Sequence, residues 1–159
     1  MRRVISVSQR GDWPGGRFVA AVTLPFEARH KRRLKMTDDQ GLSFLLDLEK
    51  ATQLNDGDGL VLEDGGVIRV HAAPEAIADI NCATPIELAR LAWHIGNRHT
   101  PIEVLDEGTL RIRDDHVMID MLRGLGASIT RHTAPFAPES GAYSKSSGGG
   151  HGNSHSHGH

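Results

Sequence analysis

The sequence predicts two small domains, an all-β domain followed by an α+β domain, and then a histidine-rich tail. Short runs rich in Val, Leu and Phe fill the first part of the chain, whereas helix start signals occur only beyond residue 83. Glycine and serine dominate everything after Tyr143. A chain of 159 residues with 38% hydrophobic content has room for two small domains. We place them at 1–72 and 73–143, with the tail at 144–159.

The first domain is predicted from short apolar runs that are separated by turn residues. The runs VISV, RFVAAVTL and SFLLDL are typical of strands. The segment GLVLEDGGVIRV has two alternating apolar parts joined by Asp64, Gly65 and Gly66, residues that tolerate the positive φ angles of tight turns. It therefore predicts a β-hairpin.

The second domain begins with the strand candidate EAIADIN and continues with a capped helix. Thr84 is a plausible N-cap, Pro85 suits the first helical position, and Glu87 lies three residues after the cap. We expect this helix to run to about Arg98. The segments PIEVLD and TLRIR then predict two strands, with the turn at Glu107 and Gly108 between them.

A second helix, HVMIDMLRGLG, is predicted to follow Asp114 or Asp115 as its N-cap and to end at Gly124 and Gly126, before a last strand, ASITRHT. Its buried face is expected to contain four apolar residues: Val117, Met121, Leu122 and Leu125. The resulting order, β-α-β-β-α-β, is typical of the split ferredoxin-like arrangement, an antiparallel sheet with two helices on one face.

The charge and the amino-acid composition exclude several classes of protein. A formal net charge of -2 and only 4% aromatic residues argue against a general nucleic-acid binder. A local basic cluster is either a solvated surface or a surface for an acidic protein partner. It consists of Arg29, His30, Lys31, Arg32, Arg33 and Lys35.

The single cysteine, Cys82, excludes an intramolecular disulfide and a thiolate metal cage, so any metal ligands must be nitrogen or oxygen atoms. By default it is a small core or strand residue. The N-terminal apolar run ends at Val7, which is too short for a signal peptide, and no stretch is long enough to span a membrane. We therefore expect a cytoplasmic location.

The histidines of the predicted helices differ in their expected environments. His99 lies on the same stripe as the apolar residues of the first helix. It lies just past the end of the helix, because Pro101 prevents the helix from continuing. His94 lies off that stripe and is expected to be an ordinary surface residue. On the second helix His116 is expected to be exposed beside Asp120, four residues later, where an ion pair is the simpler interpretation than a metal site.

The tail contains four histidines in a setting of Gly, Ser and Asn: His151, His155, His157 and His159. It has too little apolar surface to offset the entropy of ordering, so we expect it to be disordered. Neutral imidazole is a common ligand for nickel, zinc and copper, and such a tract is typical of metal binding. A purification tag is the plain alternative, although tags are usually unbroken histidine runs.

Several stretches resemble the urease accessory metallochaperones, the family that carries nickel to urease. The resemblance is carried by HIGNRHTPIEV, DDHVMIDMLRGLGASI and PFAPESGAY in the second half, and by KRRLKMTDDQG, GDGLVLEDG and VHAAPE in the first. It covers nearly all of residues 1–143. It implies an N-terminal domain similar to chaperone peptide-binding domains, followed by a ferredoxin-like domain that binds metal.

The resemblance also implies how the metal is held. Two chains pair through their C-terminal domains, His99 of each chain meets its twin at the twofold axis, and C-terminal histidines complete the site. One imidazole alone gives too few ligands for a transition metal, and a twofold axis doubles it. The implied cargo is Ni²⁺, although Zn²⁺ or Cu²⁺ would bind in vitro. The implied partners are the urease apoprotein and its accessory GTPase, and dimers could pair into tetramers around a shared ion.

The resemblance also raises the question of a second metal site. Some members of this family have two histidines at i and i+2 before the second helix, where this chain has Asp114 and His116. Asp114 could give an oxygen ligand, but it is also a good N-cap.

Two other functions compete with the metallochaperone. A metal-dependent hydrolase could use Asp114, Asp115 and His116, but the sequence has no HExxH motif and no nucleophile beside a base. A nickel or zinc storage protein would bind metal with the tail alone. We therefore predict a metallochaperone that is not an enzyme.

Overall fold

The structure is a computed structural model that describes residues 1–140. The first part of this chain forms a six-stranded sheet with the strand order β2-β6-β5-β1-β4-β3. Neighbouring strands are antiparallel except for the pairs β1–β4 and β2–β6, which are parallel. The strands are β1 (Arg2–Ser8), β2 (Phe18–Leu24), β3 (His30–Thr37), β4 (Ser43–Gln53), β5 (Gly59–Leu62) and β6 (Val67–Ala72).

The predicted hairpin is formed by β5 and β6. Leu60 pairs with Ile68 and Val61 with Val67 across the antiparallel ladder. Gly65 has a φ of 89°, and the backbone N–H of Gly66 donates a hydrogen bond to Asp64 Oδ1 at 2.8 Å. The turn therefore uses the Asp-Gly-Gly chemistry from which it was predicted.

Alternate residues of these strands point into one hydrophobic core. The pattern is clearest in β4, where every second residue from Phe44 to Leu48 is buried and the residues between them are partly exposed. This alternation is expected of a strand with one buried face. The most enclosed core side chains are Val4, Phe44, Leu46, Leu54, Leu60, Ile68 and Val70.

The second part of the chain forms a four-stranded antiparallel sheet with the order β10-β7-β9-β8, together with two helices. Its helices and strands follow one another in the order β-α-β-β-α-β. They are β7 (Pro74–Asn81), α1 (Pro85–Asn97), β8 (Glu103–Val104), β9 (Leu110–Arg113), α2 (His116–Gly124) and β10 (Ser128–Pro135).

Helix α1 begins as its sequence predicts. The backbone N–H of Glu87 donates to Thr84 Oγ1 at 3.2 Å, and Pro85 occupies the first helical position. Leu91 and Ile95 are buried against the sheet, whereas Trp93 is 64% exposed. The cap fixes where the helix starts, and the apolar stripe fixes which face lies on the sheet.

Helix α2 is rotated relative to its predicted orientation. Val117 and Leu125, which we expected in the core, are 67% and 45% exposed. The buried residues are Met118, Ile119 and Leu122. The segment contains two overlapping apolar stripes, and packing on the sheet buries the stripe that contains Met118 and Ile119. The N-cap is Asp115, whose Oδ1 accepts a hydrogen bond from the N–H of Met118 at 3.1 Å.

A small group of aromatic and charged side chains joins the two sheets. Phe26 and Phe136 meet edge to face with their ring centroids 5.5 Å apart. Arg113 Nη1 lies 2.9 Å from Glu27 Oε1. Arg29 is wholly buried here, which corrects its placement in the exposed basic cluster. Its side chain turns toward Phe136, where it donates to the backbone carbonyl, instead of toward solvent with its neighbours.

Neither helix in the described part of the chain has the length and apolar character that crossing a membrane requires.

Candidate metal centre

His99 follows the end of α1 in an unusual backbone conformation. Its φ is 57°, in the left-handed region that glycine normally occupies. The N–H of His99 donates to the carbonyl of Gly96 at 3.0 Å, and the N–H of Thr100 donates to the carbonyl of Ile95 at 3.3 Å. These two bonds form the Schellman motif, which satisfies the last carbonyls of the helix. The residue at this helix end is therefore an exposed histidine, although glycine would adopt the same left-handed conformation with less strain.

His99 lines a cleft of about 850 Å³ between the two domains. Thr100 and Pro101 line the same side, and His30 at the start of β3 lines the cleft from the first domain. Residues 137–140 complete the lining, so the described part of the chain ends inside this cleft.

The described residues alone do not form a complete metal site. Among residues 1–140, no group of three or more His, Cys, Asp or Glu side chains is arranged to hold a metal ion. A transition metal at His99 would therefore need ligands from another chain or from beyond residue 140. The predicted tail ligands His151, His155, His157 and His159 lie outside the described residues.

The residues of the predicted second site each have other partners. Arg131 Nη2 donates to Asp114 Oδ2 at 2.7 Å, and this hydrogen bond raises the pKa of Arg131 above its ordinary value. His116 Nδ1 lies 3.3 Å from Asp120 Oδ2, which is the predicted ion pair. The N-cap of α2 is Asp115, so Asp114 is available for Arg131. A metal ion here would have to displace Arg131 from Asp114.

The other candidate residues lie apart from the cleft. His94 is partly exposed and meets the ring of Trp93 edge to face, with their centroids 5.0 Å apart. Cys82 is half-buried beside the apolar residues that α1 and α2 bury against the four-stranded sheet; burial, and then the charge of Glu87, raise the pKa of its thiol. A thiol with a raised pKa is a poor nucleophile and a poor ligand at neutral pH.

A charged network on the second sheet was not predicted from the sequence. Asp79 lies between Arg111, whose Nε is 2.8 Å from Oδ1, and His132, whose Nε2 is 2.6 Å from Oδ2. Burial by itself would raise the pKa of Asp79, but the hydrogen bonds from Arg111 and His132 outweigh it and hold that pKa below its ordinary value. The three residues come from three strands, and only strand pairing brings them together.

The remaining members of the basic cluster form one exposed strand. His30, Lys31, Arg32, Arg33 and Lys35 all lie on β3 and are exposed. Because β3 is the last strand of its sheet within residues 1–140, these side chains lie along one edge of that sheet. We call them the basic strand.

Comparison with known proteins assigns both halves of the chain to one family. The model described as the UreE urease accessory protein, N-terminal domain, matches residues 5–73, and the model of its C-terminal domain matches residues 75–159. The chain is 50% identical to the urease accessory protein UreE of Chelativorans sp. (strain BNC1) over 159 residues, which covers 100% of this chain and 96% of that relative.

Two further relatives are longer than this chain. Identity to the urease accessory protein UreE of Rhodopseudomonas palustris (strain HaA2) is 56% over 122 residues, or 77% of this chain and 56% of that protein. Identity to the corresponding protein of Azorhizobium caulinodans is 49% over 143 residues, or 90% of this chain and 68% of that protein. With both domains matched in order and one relative matched over almost its whole length, the chain belongs to the UreE family of urease accessory proteins.

Proposed function

We propose that this chain is a metallochaperone that binds Ni²⁺ and delivers it to the urease apoprotein during assembly of the metal centre. The observation that carries the proposal is His99, an exposed imidazole held in a left-handed conformation at a helix end. Strained backbone is retained where the surrounding structure and the function require it. Membership of a family of urease accessory proteins supports a role in urease maturation without catalysis.

The proposed nickel site is assembled from several chains or segments. Two chains pair through the C-terminal domain, so that both His99 imidazoles meet at the twofold axis. This domain has exposed apolar residues that such a contact would bury, and burial of apolar surface favours association. They include Ile86 and Trp93 on α1, Val104 on β8, and Val117 on α2.

The tail histidines His151, His155, His157 and His159 are proposed to complete the site. Tethering gives them a high effective concentration near His99, and losing one ligand at a time allows the ion to be handed over. Zn²⁺ or Cu²⁺ would also bind such ligands in vitro. Two dimers sharing one ion would form a tetramer.

We further interpret residues 1–72 as a β domain of the chaperone peptide-binding type, residues 73–143 as a ferredoxin-like domain and residues 144–159 as a metal-binding tail. The four-stranded antiparallel sheet with two helices supports the second interpretation. We place the protein in the cytoplasm, where it would meet urease and its accessory GTPase. The basic strand is the proposed surface for an acidic partner, since its charges are exposed along the edge of its sheet.

The proposal includes a second, weaker metal site at His116 and Asp114. A metal ion there has to compete with the present partners of both side chains. Arg131 holds Asp114, and Asp120 holds His116. Removing the competing cation by Arg131→Ala should strengthen binding of a second Ni²⁺, while His116→Ala should abolish it. Both effects are measured as the number of nickel ions bound per chain.

The alternative is a nickel or zinc storage protein that binds metal only with its tail. Calorimetric titration with Ni²⁺ distinguishes the two functions when it compares the full chain, the chain ending at Tyr143 and His99→Ala. His94→Ala is the matched control, since His94 lies near the same helix end but does not line the cleft. A metallochaperone should lose its tight site in His99→Ala and keep a weaker one after truncation. Storage predicts no effect of His99→Ala and loss of nearly all binding on truncation.

A further inference from the structure

The two outer strands of the six-stranded sheet, β2 and β3, are covered to different extents. The turn after β3 occupies two backbone groups of β2. The N–H of Asp39 donates to the carbonyl of Ala21 at 2.8 Å, and Asp39 Oδ1 accepts a hydrogen bond from the N–H of Thr23 at 2.9 Å. Within residues 1–140, no hydrogen bond from outside the ladder with β4 reaches the backbone of β3. The outer backbone groups of β3 are therefore accessible to a further strand.

Most of β3 is also exposed on both of its faces. All six side chains from His30 to Lys35 are exposed, and the one buried residue of the strand is Met36. Because successive side chains of a strand point to opposite faces, neither face of this part of β3 lies in the core. Six extended residues span about 20 Å. This length of strand therefore lies outside the core.

One face of this exposed part has three positive charges at alternate positions. Lys31, Arg33 and Lys35 are two residues apart, which places them on the same face. The ladder with β4 is irregular between the first two of them, because Lys31 pairs with Thr52 whereas Arg33 pairs with Asp47. The extra residues belong to β4, so β3 keeps the alternation of its side chains.

These positive charges have few partners in the described part of the chain. Within residues 1–140, Lys31 and Lys35 make no ion pair, and Arg33 Nε lies 4.0 Å from Asp47 Oδ1. Asp47 is shared with Arg3, whose Nε lies 2.9 Å from the other carboxylate oxygen. The face therefore has an excess of positive charge that an acidic partner would neutralise.

The pattern of charge selects between possible occupants of this edge. Basic residues on an outer strand protect a protein from pairing with copies of itself, because like charges would lie opposite each other. A strand with carboxylates at alternate positions would instead place opposite charges about 5 Å apart. The edge thus disfavours a second copy and favours an acidic strand. The net charge of -2 and the 4% of aromatic residues argue against nucleic acid as the occupant.

We propose that the exposed part of β3 is the docking site for an extended acidic segment of a protein partner, which adds to the sheet as a further strand. Carboxylates at every second position pair with Lys31, Arg33 and Lys35. The residues between them point to the face of Leu34, which is 39% exposed and suits an apolar side chain.

The position of β3 relates this docking site to the cleft. His30 begins β3 and lines the cleft that His99 also lines, so one end of a docked segment lies at that cleft. The inference rests on the proposed function, since it takes the basic strand as the surface for an acidic partner. It adds the conformation of the partner segment and the spacing of its charges.

The first experiment measures binding of a synthetic peptide to the full chain without metal. The fluorescently labelled peptide has eight residues, as many as β3, and alternates glutamate with valine. A peptide of the same composition with its glutamates grouped at one end is the control for spacing. We expect the grouped peptide to bind about fivefold more weakly in fluorescence anisotropy at low salt, because it pairs with fewer of the three cations. Equally tight binding of the two peptides would overturn the proposed spacing.

Charge reversal on the protein tests the same contacts. Lys35→Glu is compared with Arg69→Glu, because Arg69 is also exposed in the first domain but lies on β6, an inner strand. We expect Lys35→Glu to weaken binding of the alternating peptide about fivefold and Arg69→Glu to have little effect. Equal effects of the two substitutions would overturn the proposal, since the charges of β3 would then only protect the edge of the sheet.

Hydrogen exchange of backbone amides separates strand addition from docking by charge alone. We expect the alternating peptide to slow the exchange of the outer amides of β3 in the full chain. Binding with unchanged exchange would overturn strand addition, although the basic strand would still be a surface for an acidic partner. Tighter binding of a poly-uridine oligonucleotide than of the peptide would overturn the choice of a protein partner. Because no metal is present, failure of nickel binding at His99 would be a separate result.

Discussion

The backbone carbonyl of Phe136 accepts a hydrogen bond from the guanidinium of Arg29, although the two residues are 107 positions apart in the sequence. Arg29 is wholly buried, and this burial lowers the pKa of its guanidinium despite the nearby charges of Glu75, Asp56 and Glu103. Its Nε and Nη1 have no hydrogen-bond partner within residues 1–140. The contact therefore links the first domain to the segment that leads into the cleft, at a substantial desolvation cost.

Phe136→Ala should destabilise the protein strongly. The phenyl ring is wholly buried between the domains, so its removal loses apolar contact and leaves a cavity beside Phe26. We expect the free energy of unfolding to fall by about 3 kcal/mol. Urea unfolding measures it, with Phe18→Ala as the control, since Phe18 is 50% exposed. Equal small losses in both variants would mean that Phe136 is not packed between the domains in solution.

Asp79→Asn should make stability less dependent on pH below neutrality. Because the folded-state pKa of Asp79 is lowered, its charge stabilises the fold above the unfolded-state pKa of about 4. That contribution is lost as the pH falls through the folded-state pKa. The substitution weakens the hydrogen bonds from Arg111 and His132, so we expect a loss of about 2 kcal/mol at pH 7 and a much smaller loss in acid.

The measurement for Asp79 is urea unfolding at pH 7 and at about pH 3, a value below the ordinary aspartate pKa. Asp12→Asn is the control, because Asp12 is exposed. If the loss at the two pH values is the same, the charge of Asp79 does not contribute to the pH dependence of stability.

Local sequence signals predicted the individual strands and helices well. Thr84 with Glu87, and Asp64 with the two glycines after it, are short-range arrangements whose hydrogen bonds close within four residues. Whether these hydrogen bonds form therefore depends little on the rest of the chain. The same holds for His99, whose position at a helix end follows from Pro101 nearby.

Features that depend on distant contacts were missed or wrong. Val117 and Leu125 were predicted to be buried because they belong to one of two apolar stripes, and only packing on the sheet decides between the stripes. Arg29 was expected to be exposed like its charged neighbours. Its partner is the carbonyl of Phe136, just after the last strand, and no residue near Arg29 in the sequence indicates this contact. The cleft that His30 and His99 both line depends on both domains, which no local pattern describes.

Asp115→Ala should destabilise the protein more than Asp114→Ala. Asp115 caps α2 by accepting a hydrogen bond from the N–H of Met118, and loss of such a cap costs about 1 kcal/mol. Asp114 pairs with Arg131, which is more than half exposed, so we expect a loss of roughly 0.5 kcal/mol. Thermal unfolding of the two neighbouring variants compares them directly, and the reverse order would contradict the assignment of the cap.

His99→Gly and His99→Ala should separate the structural cost of this position from its proposed function. Glycine adopts the left-handed conformation of residue 99 without strain, whereas alanine does not. We therefore expect the glycine variant to be more stable than the alanine variant by about 1 kcal/mol. The matched control is Arg98, whose φ is -91°, where alanine should be at least as stable as glycine. Chemical unfolding of the four variants gives these differences.

Nickel titration of the same variants completes the test. Both substitutions at residue 99 remove the imidazole, so both should lose the tight nickel site, while the Arg98 variants should keep it. The glycine variant would then be a well-folded protein that no longer binds nickel tightly, which excludes unfolding as the reason for the loss. Equal stability of His99→Gly and His99→Ala would instead indicate that residue 99 leaves the left-handed region in solution. In that case, backbone strain would no longer support a functional role for His99, and the nickel titration alone would have to decide it.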